Sequence, residues 1–517
     1  MNDLTLFFAC ICIIQPGLSG VNLNETNIWG PGLKPDKIVM PARYFFIQLA
    51  CTERDQCISN SAQENLEVKI DGLTEQGTPC RSWINILNRK DGFYIVRYKI
   101  YVMCIDVKIS VYYKGEHVGS SPYISKDIVF NDECRCPRDS LENIIKTWEC
   151  GSTPLLIRKK LNHFPKIDWT QLRPEVIKTF DKPLSVSLCH YIIKDNRVHR
   201  KCYGKYVGFN MFMDAIFLSL TRKTKLPDLE IFVNLGDWPL AVHNMPEKYP
   251  IMSWCSSNDS YDIVMPTYDL TESTLENMGR VTLDVFSVQG NTKYLFEKRI
   301  PKLFWRGRDS NKHRLNLIKL SRENPDLINA SLTNFFFYRD KQEEYGPKAD
   351  YVSFFEFFDY KYQLAIDGTV APYRMPYLLA GGSLVFKTDS KYYEHFYTAL
   401  EPNHHYVPVK ADLSDLVHKL KWAINNEQEA KRIAENGQKF VNDNLTPKHV
   451  FCYYMHLFNE FARKTVSQVQ VVDDMEIVNQ TEAIHQQCDC GMNTDKMRKL
   501  IEVHKKHQYY VHEVEEL

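Results

Sequence analysis

Residues 303–320 read LFWRGRDSNKHRLNLIKL, and this stretch decides the fold of most of the chain. Leu303, Phe304 and Trp305 open it as a strand, Gly307 marks a turn carrying Arg306 and Arg308, and a helix over Asn311–Arg322 follows. Strand, turn and helix in direct succession are the repeating unit of an α/β domain. Lys312, His313 and Arg314 gather where the helix begins. Backbone N–H groups and the helix dipole favour an anion there, and arginine adds directional charged donors suited to phosphate oxygens. Basic residues on a solvated turn account for this stretch equally well when it is taken alone. The local enrichment stands out because Lys plus Arg total 64 and Asp plus Glu total 64, a net charge of zero. That balance leaves no broad basic surface for nucleic acid or an anionic membrane.

Two further loops join the first. IDGTVAPYRMPYLLAGGSLVFK, residues 366–387, places small residues before Tyr373 and Arg374, so a backbone can approach a ligand closely and Arg374 can meet the same anion from another side. LEIFVNLGDWPL, residues 229–240, is a buried-type strand stopped by Gly236-Asp237-Trp238-Pro239. Asp237 thus stands at the carboxyl end of a strand, where open α/β sheets gather ligands, although a turn aspartate explains the position as well. No D-x-D sequence occurs, so a divalent metal on a diphosphate is not expected, and arginines would carry the leaving group. Other strand candidates are Glu230–Leu235 and Ser383–Lys387. Helix candidates are Asp412–Asn425, with Asp412 as its cap, and Glu427–Val441. From about Thr465 the pattern dissolves into a polar tail, partly ordered at best.

The amino-terminal quarter differs. Short alternating runs over Tyr44–Leu49, Glu67–Ile70, Phe93–Tyr101 and Asp106–Tyr113, separated by polar turns, predict a β-sandwich across residues 27–130. The segments WGPGL, PARYFFI, DGFYIVRY and YYKGEHVGSSPY resemble the filamin-type immunoglobulin-like repeat in order and spacing. An accessory role, orienting or binding, is expected of it.

Leu4–Ile14 within MNDLTLFFACICIIQPGLSG is too short to span a bilayer and reads as a cleaved secretory signal over residues 1–20. Cys10 and Cys12 leave with it, and the thirteen cysteines that remain of fifteen cannot all pair internally. Disulfides of an oxidising lumen fit the C-x-C pairs better than zinc. Sequons begin at Asn24, Asn258, Asn329, Asn444 and Asn479. The chain finishes in Glu-Glu-Leu, close to an endoplasmic-reticulum retention address.

VNLGDWP, SYDIVMPTYDLTEST, FWRGRDSNKHR, IDGTVAPYR, GGSLVFK and EHFYTALEPNHHYVPVKADLSDL together resemble the CAP10 glycosyltransferases, family 90, over residues 134–464. With the filamin-like repeat and the EEL ending, the chain resembles the KDEL-motif-containing protein O-glucosyltransferases. That resemblance implies a GT-B arrangement of two Rossmann-like lobes. It implies inverting transfer of glucose from UDP-glucose to a serine of an EGF-like repeat of Notch-type extracellular proteins, without a metal or other cofactor, in the endoplasmic reticulum lumen. A retention receptor is the further partner, and neither membrane insertion nor nucleic acid is expected. Asp237 matches the base, while Arg308, Arg314, Thr369, Val370, Ala371, Pro372, Tyr373 and Arg374 match the UDP-sugar contacts. Met265, Pro266 and Tyr268 join Tyr373 as shaping residues. Transfer of xylose from UDP-xylose, and an inactive lumenal scaffold, are the alternatives. Cys202 matches an acceptor-side disulfide position whose usual partner is missing, with Cys189 as the substitute, and Cys136 with Cys452 would tie the hinge to the carboxyl-terminal helix.

Overall fold

A computed structural model describes residues 21–51, 65–182, 185, 188–205, 208–275, 283–480 and 488–515, with side chains described to residue 506. The expected signal over residues 1–20 and the last two residues of the EEL ending lie outside them. Among the described residues no helix is long and apolar enough to cross a membrane.

The amino-terminal unit is a β-sandwich. Strands Val21–Trp29, Arg43–Cys51, Phe93–Ile100 and Ser82–Asn88 pair in that order, antiparallel throughout. The facing sheet is built on Leu66–Leu73 and Ile105–Tyr113. Phe45, Ile47, Tyr94, Val96 and Tyr98 fill the space between the sheets. The alternation expected of Tyr44–Leu49 and Phe93–Tyr101 holds for direction but not for exposure. Tyr44, Phe46, Phe93 and Ile95, on the other face, are also buried, in one continuous core with the following α/β region. YFFI and FYIV are unbroken apolar runs because both faces of these strands are covered.

The first α/β lobe has a six-stranded mixed sheet. Ile263–Val264, Ile251–Ser253 and Leu229–Asn234 run parallel, and Leu188–Lys194, Arg197–Tyr203 and Glu476–Ile477 extend it antiparallel. Every residue of Leu229–Asn234 is buried. Glu230 is tolerated there because Arg173 Nε and Nη2 donate to its two oxygens at 2.6 and 2.8 Å and His190 Nε2 lies 2.9 Å away.

The second lobe is a five-stranded, all-parallel sheet in the spatial order Ile328–Asn334, Ile300–Arg308, Tyr360–Ala365, Leu384–Thr388, Val407–Val409. In chain order that is 2-1-3-4-5, so the connections diverge above the carboxyl ends of Ile300–Arg308 and Tyr360–Ala365. A crevice opens at such a switch point. The helix Pro447–Lys464 returns to pack on the first lobe, completing a GT-B arrangement whose first lobe is mixed, not purely parallel.

The helix expected from Asp412 begins at Leu416. Asp412 instead accepts from the Ser414 amide at 3.0 Å, in a turn before the helix. The region after Thr465 is built into the fold: Glu476–Ile477 adds an edge strand and a helix runs Thr494–Glu515. Two disulfides, Cys134–Cys488 and Cys136–Cys490, bind it to the hinge between sandwich and lobe. The expected Cys136–Cys452 pair is therefore wrong. Cys452 bonds Cys150, because the helix Pro447–Lys464 packs beside Leu141–Thr147 and Leu155–Leu161, which flank Cys150. Cys189–Cys202 does form, between directly opposed residues of adjacent strands. Cys80–Cys104 closes the sandwich, and Cys255 is buried and free.

Candidate active site

Three short segments build one cleft between the lobes. From the first lobe comes the turn after Leu229–Asn234. Asn234 shapes it, its Nδ2 donating to the Trp238 carbonyl at 2.7 Å and to Ser253 Oγ at 3.1 Å, while its Oδ1 takes the Gly236 amide at 2.8 Å. Buried Asp262 holds the far side of the turn, accepting from the Leu240 and Ala241 amides, each at 2.8 Å. A turn fixed at both ends presents Asp237 to the cleft instead of using it as a cap. Burial raises the affinity of its carboxyl for a proton, and the Thr369 hydroxyl, donating to Oδ2 at 3.4 Å, works against that shift.

The second lobe supplies the other two segments, one above each strand flanking the switch point. Asn311 caps the helix Lys312–Glu323, its Oδ1 accepting from the His313 amide at 2.9 Å. One turn in, Arg314 spans the two loops: Nε donates to the Asp367 carbonyl at 2.8 Å, Nη1 to the Arg308 carbonyl at 3.0 Å and Nη2 to the Ile366 carbonyl at 3.2 Å. Three of its five N–H groups are thus committed to backbone, and two remain for a ligand. Gly368 lets the loop lie close against this guanidinium, since a Cβ there would stand 3.0 Å from Arg314 Nη2. Arg374 precedes the helix Met375–Ala380, and its Nη1 donates to the Arg306 carbonyl at 2.7 Å. Burial lowers the pKa of Arg314 to about 9, with Arg374 adding to the effect, and that of Arg374 to about 10. Two cations are held close in a partly dry cleft with no carboxylate bonded to either among the described residues, which is the electrostatic signature of an anion site.

Asp237, Arg314, Thr369, Val370, Ala371, Pro372, Tyr373 and Arg374 all line this cavity of about 270 Å³. Arg308 does not. It lines an adjoining hollow of about 580 Å³, which shares Leu283, Ser310, Arg314 and Arg374 with the first and continues past Tyr351 and Phe354. Arg306 lines that adjoining hollow as well, with its guanidinium held by Asn329, donating to the carbonyl and Oδ1 of that residue at 2.9 Å each. Tyr268 meets Tyr373 edge-to-face at 5.5 Å, whereas Met265 and Pro266 are buried in the first lobe. Asn24, Asn258, Asn444 and Asn479 are exposed. Asn329 sits within a strand, its amide engaged by Arg306 and by Tyr360 at 3.2 Å.

Sequence reasoning missed Asp269, Ser310, Leu283 and Tyr377 as cleft residues. Asp269 opens the helix Tyr268–Leu275, and burial, with Glu272 and Asp237 adding, raises its pKa to about 6. Its position in PTYDLTEST, three residues after the proline that follows an apolar strand, was the available signal.

A buried carboxylate on one lobe facing paired arginines at a switch point on the other makes a cleft suited to an anionic ligand. The profile of glycosyl transferase family 90 matches residues 146–510, and the filamin/ABP280 repeat matches residues 20–124. The chain belongs to glycosyl transferase family 90 and is a glycosyltransferase with an amino-terminal filamin domain. It is 49% identical to protein O-glucosyltransferase 2 of Danio rerio, over 90% of this chain and 93% of that one. It is 45% identical to protein O-glucosyltransferase 3 of Homo sapiens, over 91% and 93% of the two chains. Protein O-glucosyltransferase 1 of Homo sapiens is 29% identical over 53% of this chain and 72% of that one.

Proposed function

We propose that this chain is an inverting protein O-glucosyltransferase, moving glucose from UDP-glucose to a serine hydroxyl of folded EGF-like repeats. The observation that carries the reading is the meeting of Asp237, from one lobe, with Arg314 and Arg374, from the other, in a single cleft. A serine hydroxyl is a weak nucleophile, so a base must remove its proton as the oxygen attacks the anomeric carbon opposite the departing UDP. Asp237 takes that proton. Its raised proton affinity suits the task, because the hydroxyl becomes acidic only as the new bond forms. The bond from the sugar to the β-phosphate oxygen breaks, and Arg374 with the two uncommitted N–H groups of Arg314 stabilises the charge that collects on the diphosphate. With two arginines in that role, and no D-x-D sequence, the transfer proceeds without a metal or other cofactor. The adjoining hollow with Arg308, Tyr351 and Phe354 suits the nucleoside. The disulfides and the sequons support an endoplasmic-reticulum lumenal setting.

Purified protein is incubated with folded EGF-like repeats and UDP-glucose or UDP-xylose in chelator, and intact masses are read. A hexose increment supports the proposal. A pentose increment alone shifts the donor to UDP-xylose, no increment over many repeats supports an inactive scaffold, and dependence on added metal overturns the arginine mechanism.

A further inference from the structure

The filamin domain does more than adjoin the transferase. Phe46 and Tyr44, on the outer face of its four-stranded sheet, pack on Phe286, the ring centroids of Tyr44 and Phe286 lying 4.8 Å apart. Phe286 lies in the helix Val285–Gly290, which begins next to Leu283, a residue lining both hollows of the donor cleft. At Gly290 the sheet comes close, since a Cβ there would stand 2.7 Å from Leu87 Cβ. The polar contact is more pointed still. Arg97, 4% exposed on the filamin strand Phe93–Ile100, donates through Nη1 to Asp284 Oδ2 and through Nη2 to Ser287 Oγ, each at 3.1 Å. Asp284 is the cap of that helix, taking the Phe286 and Ser287 amides at 2.9 and 2.8 Å. The capped helix packs in turn against Met375–Ala380, the helix that Arg374 opens and that carries Tyr377 into the cleft.

We infer that the filamin domain forms part of the support of the donor site, and that Arg97 is a positioning residue: by pinning Asp284 and Ser287 it fixes the helix on which the Arg374 wall of the cleft rests. This deepens the UDP-glucose reading and rests on it for the identity of the ligand. A free carboxylate cap needs no arginine. A buried guanidinium reaching from another domain to the cap and to a side chain in the first turn is costly unless fully bonded; here Nε is held within the filamin sheet by Asn85 Oδ1 at 3.0 Å, and the bonds from Nη1 and Nη2 cross the domain boundary. The helix has six residues and is read as a strut only, with no ligand at its end.

The test compares full-length wild type with Arg97→Ala, Arg97→Lys, Ser287→Ala and Val96→Ala. Val96 lies between the two filamin sheets, so its variant weakens the sandwich without touching the strut. The readouts are melting temperature, KM for UDP-glucose and for the acceptor, and amide exchange over residues 375–380. Arg97→Ala is expected to raise the donor KM roughly threefold to thirtyfold, the range for residues acting through packed neighbours, with the acceptor KM little changed and exchange over 375–380 accelerated. Arg97→Lys recovers part of both effects. Val96→Ala lowers the melting temperature and leaves both unchanged. The inference is overturned if Arg97→Ala, or Ser287→Ala should that variant not fold, leaves exchange over 375–380 as in wild type. It is equally overturned if Val96→Ala reproduces both changes. Should wild type bind no UDP-glucose, the donor reading falls, and the exchange measurement still decides whether the filamin domain holds the cleft wall.

Discussion

Thr369 donates its hydroxyl hydrogen to Asp237 Oδ2 across 3.4 Å, so a residue of the second lobe touches the carboxylate carried by the first. The contact spans the cleft between the two lobes. It stabilises the ionised form of Asp237 against the burial that favours its protonated form.

Asp237→Asn keeps the shape and removes the base. Turnover should fall by roughly two to four orders of magnitude, while UDP binding, which depends on the arginines, stays within about twofold of wild type. Isothermal titration with UDP beside a mass assay of transfer measures both, and retained turnover removes Asp237 from the role.

The pH profile follows from the direction of the Asp237 shift. The base works only when ionised, and burial raises its pKa above the ordinary aspartate value of about 3.9. Turnover therefore declines toward acid with a midpoint above that value. Thr369→Val removes the hydroxyl that favours the charged form, so the midpoint moves to higher pH. A midpoint that stays put or moves down contradicts the assignment.

Arg374 and Arg314 should separate under mutation. Arg374 makes one backbone bond, so Arg374→Ala weakens UDP binding by roughly one to two orders of magnitude with a small change in melting temperature. Arg314 holds three carbonyls, so Arg314→Ala also costs stability, about 1–3 kcal/mol for each acceptor left buried without a partner. Arg314→Lys does not restore it, because one ammonium cannot reach three carbonyls in the same fork.

Asp269 is raised to about 6 by burial first and then by Glu272 and Asp237. The folded protein thus binds a proton that the unfolded chain, near 3.9, has already released. This stabilising contribution is complete below about pH 4 and is lost as pH rises through about 6. Asp269→Asn should therefore gain melting temperature relative to wild type between pH 5 and pH 7, and a constant difference across that interval contradicts the shift.

The hinge disulfides give a separate test. Cys488→Ser with Cys490→Ser frees the segment after Thr465 from Cys134 and Cys136. A loss of about 2–5 kcal/mol is expected from removing native cross-links. Limited proteolysis should cut after residue 465 in the variant and not in wild type, since Glu476–Ile477 and the helix Thr494–Glu515 are otherwise tied down.

By itself the sequence determined the parts whose signals are local. The strand-turn-helix at 303–320, the buried strand ending at Asp237 and the small-residue loop before Arg374 all announce themselves, because periodicity, glycine placement and charge clustering act within one element. Those signals alone left a solvated basic turn and a turn aspartate as equal readings, and it was the family resemblance that named most of the cleft. What depends on chain crossings was beyond it. Cys452 chooses Cys150 over Cys136 because of where one helix packs, and the polar segment after Thr465 becomes structure through partners distant in sequence, an edge-strand pairing with Arg197–Tyr203 and cysteines 354 positions away. YFFI and FYIV carry a surplus of apolar residues that periodicity alone does not interpret, since a strand buried on both faces looks the same whatever lies against it. Only the tertiary structure decided that the covering partner is the transferase itself, that Asp269 enters the cleft, and that Arg306 spends its guanidinium on Asn329. A side chain's direction depends on the backbone of its neighbours in space, and in this fold many of those neighbours come from another lobe or domain.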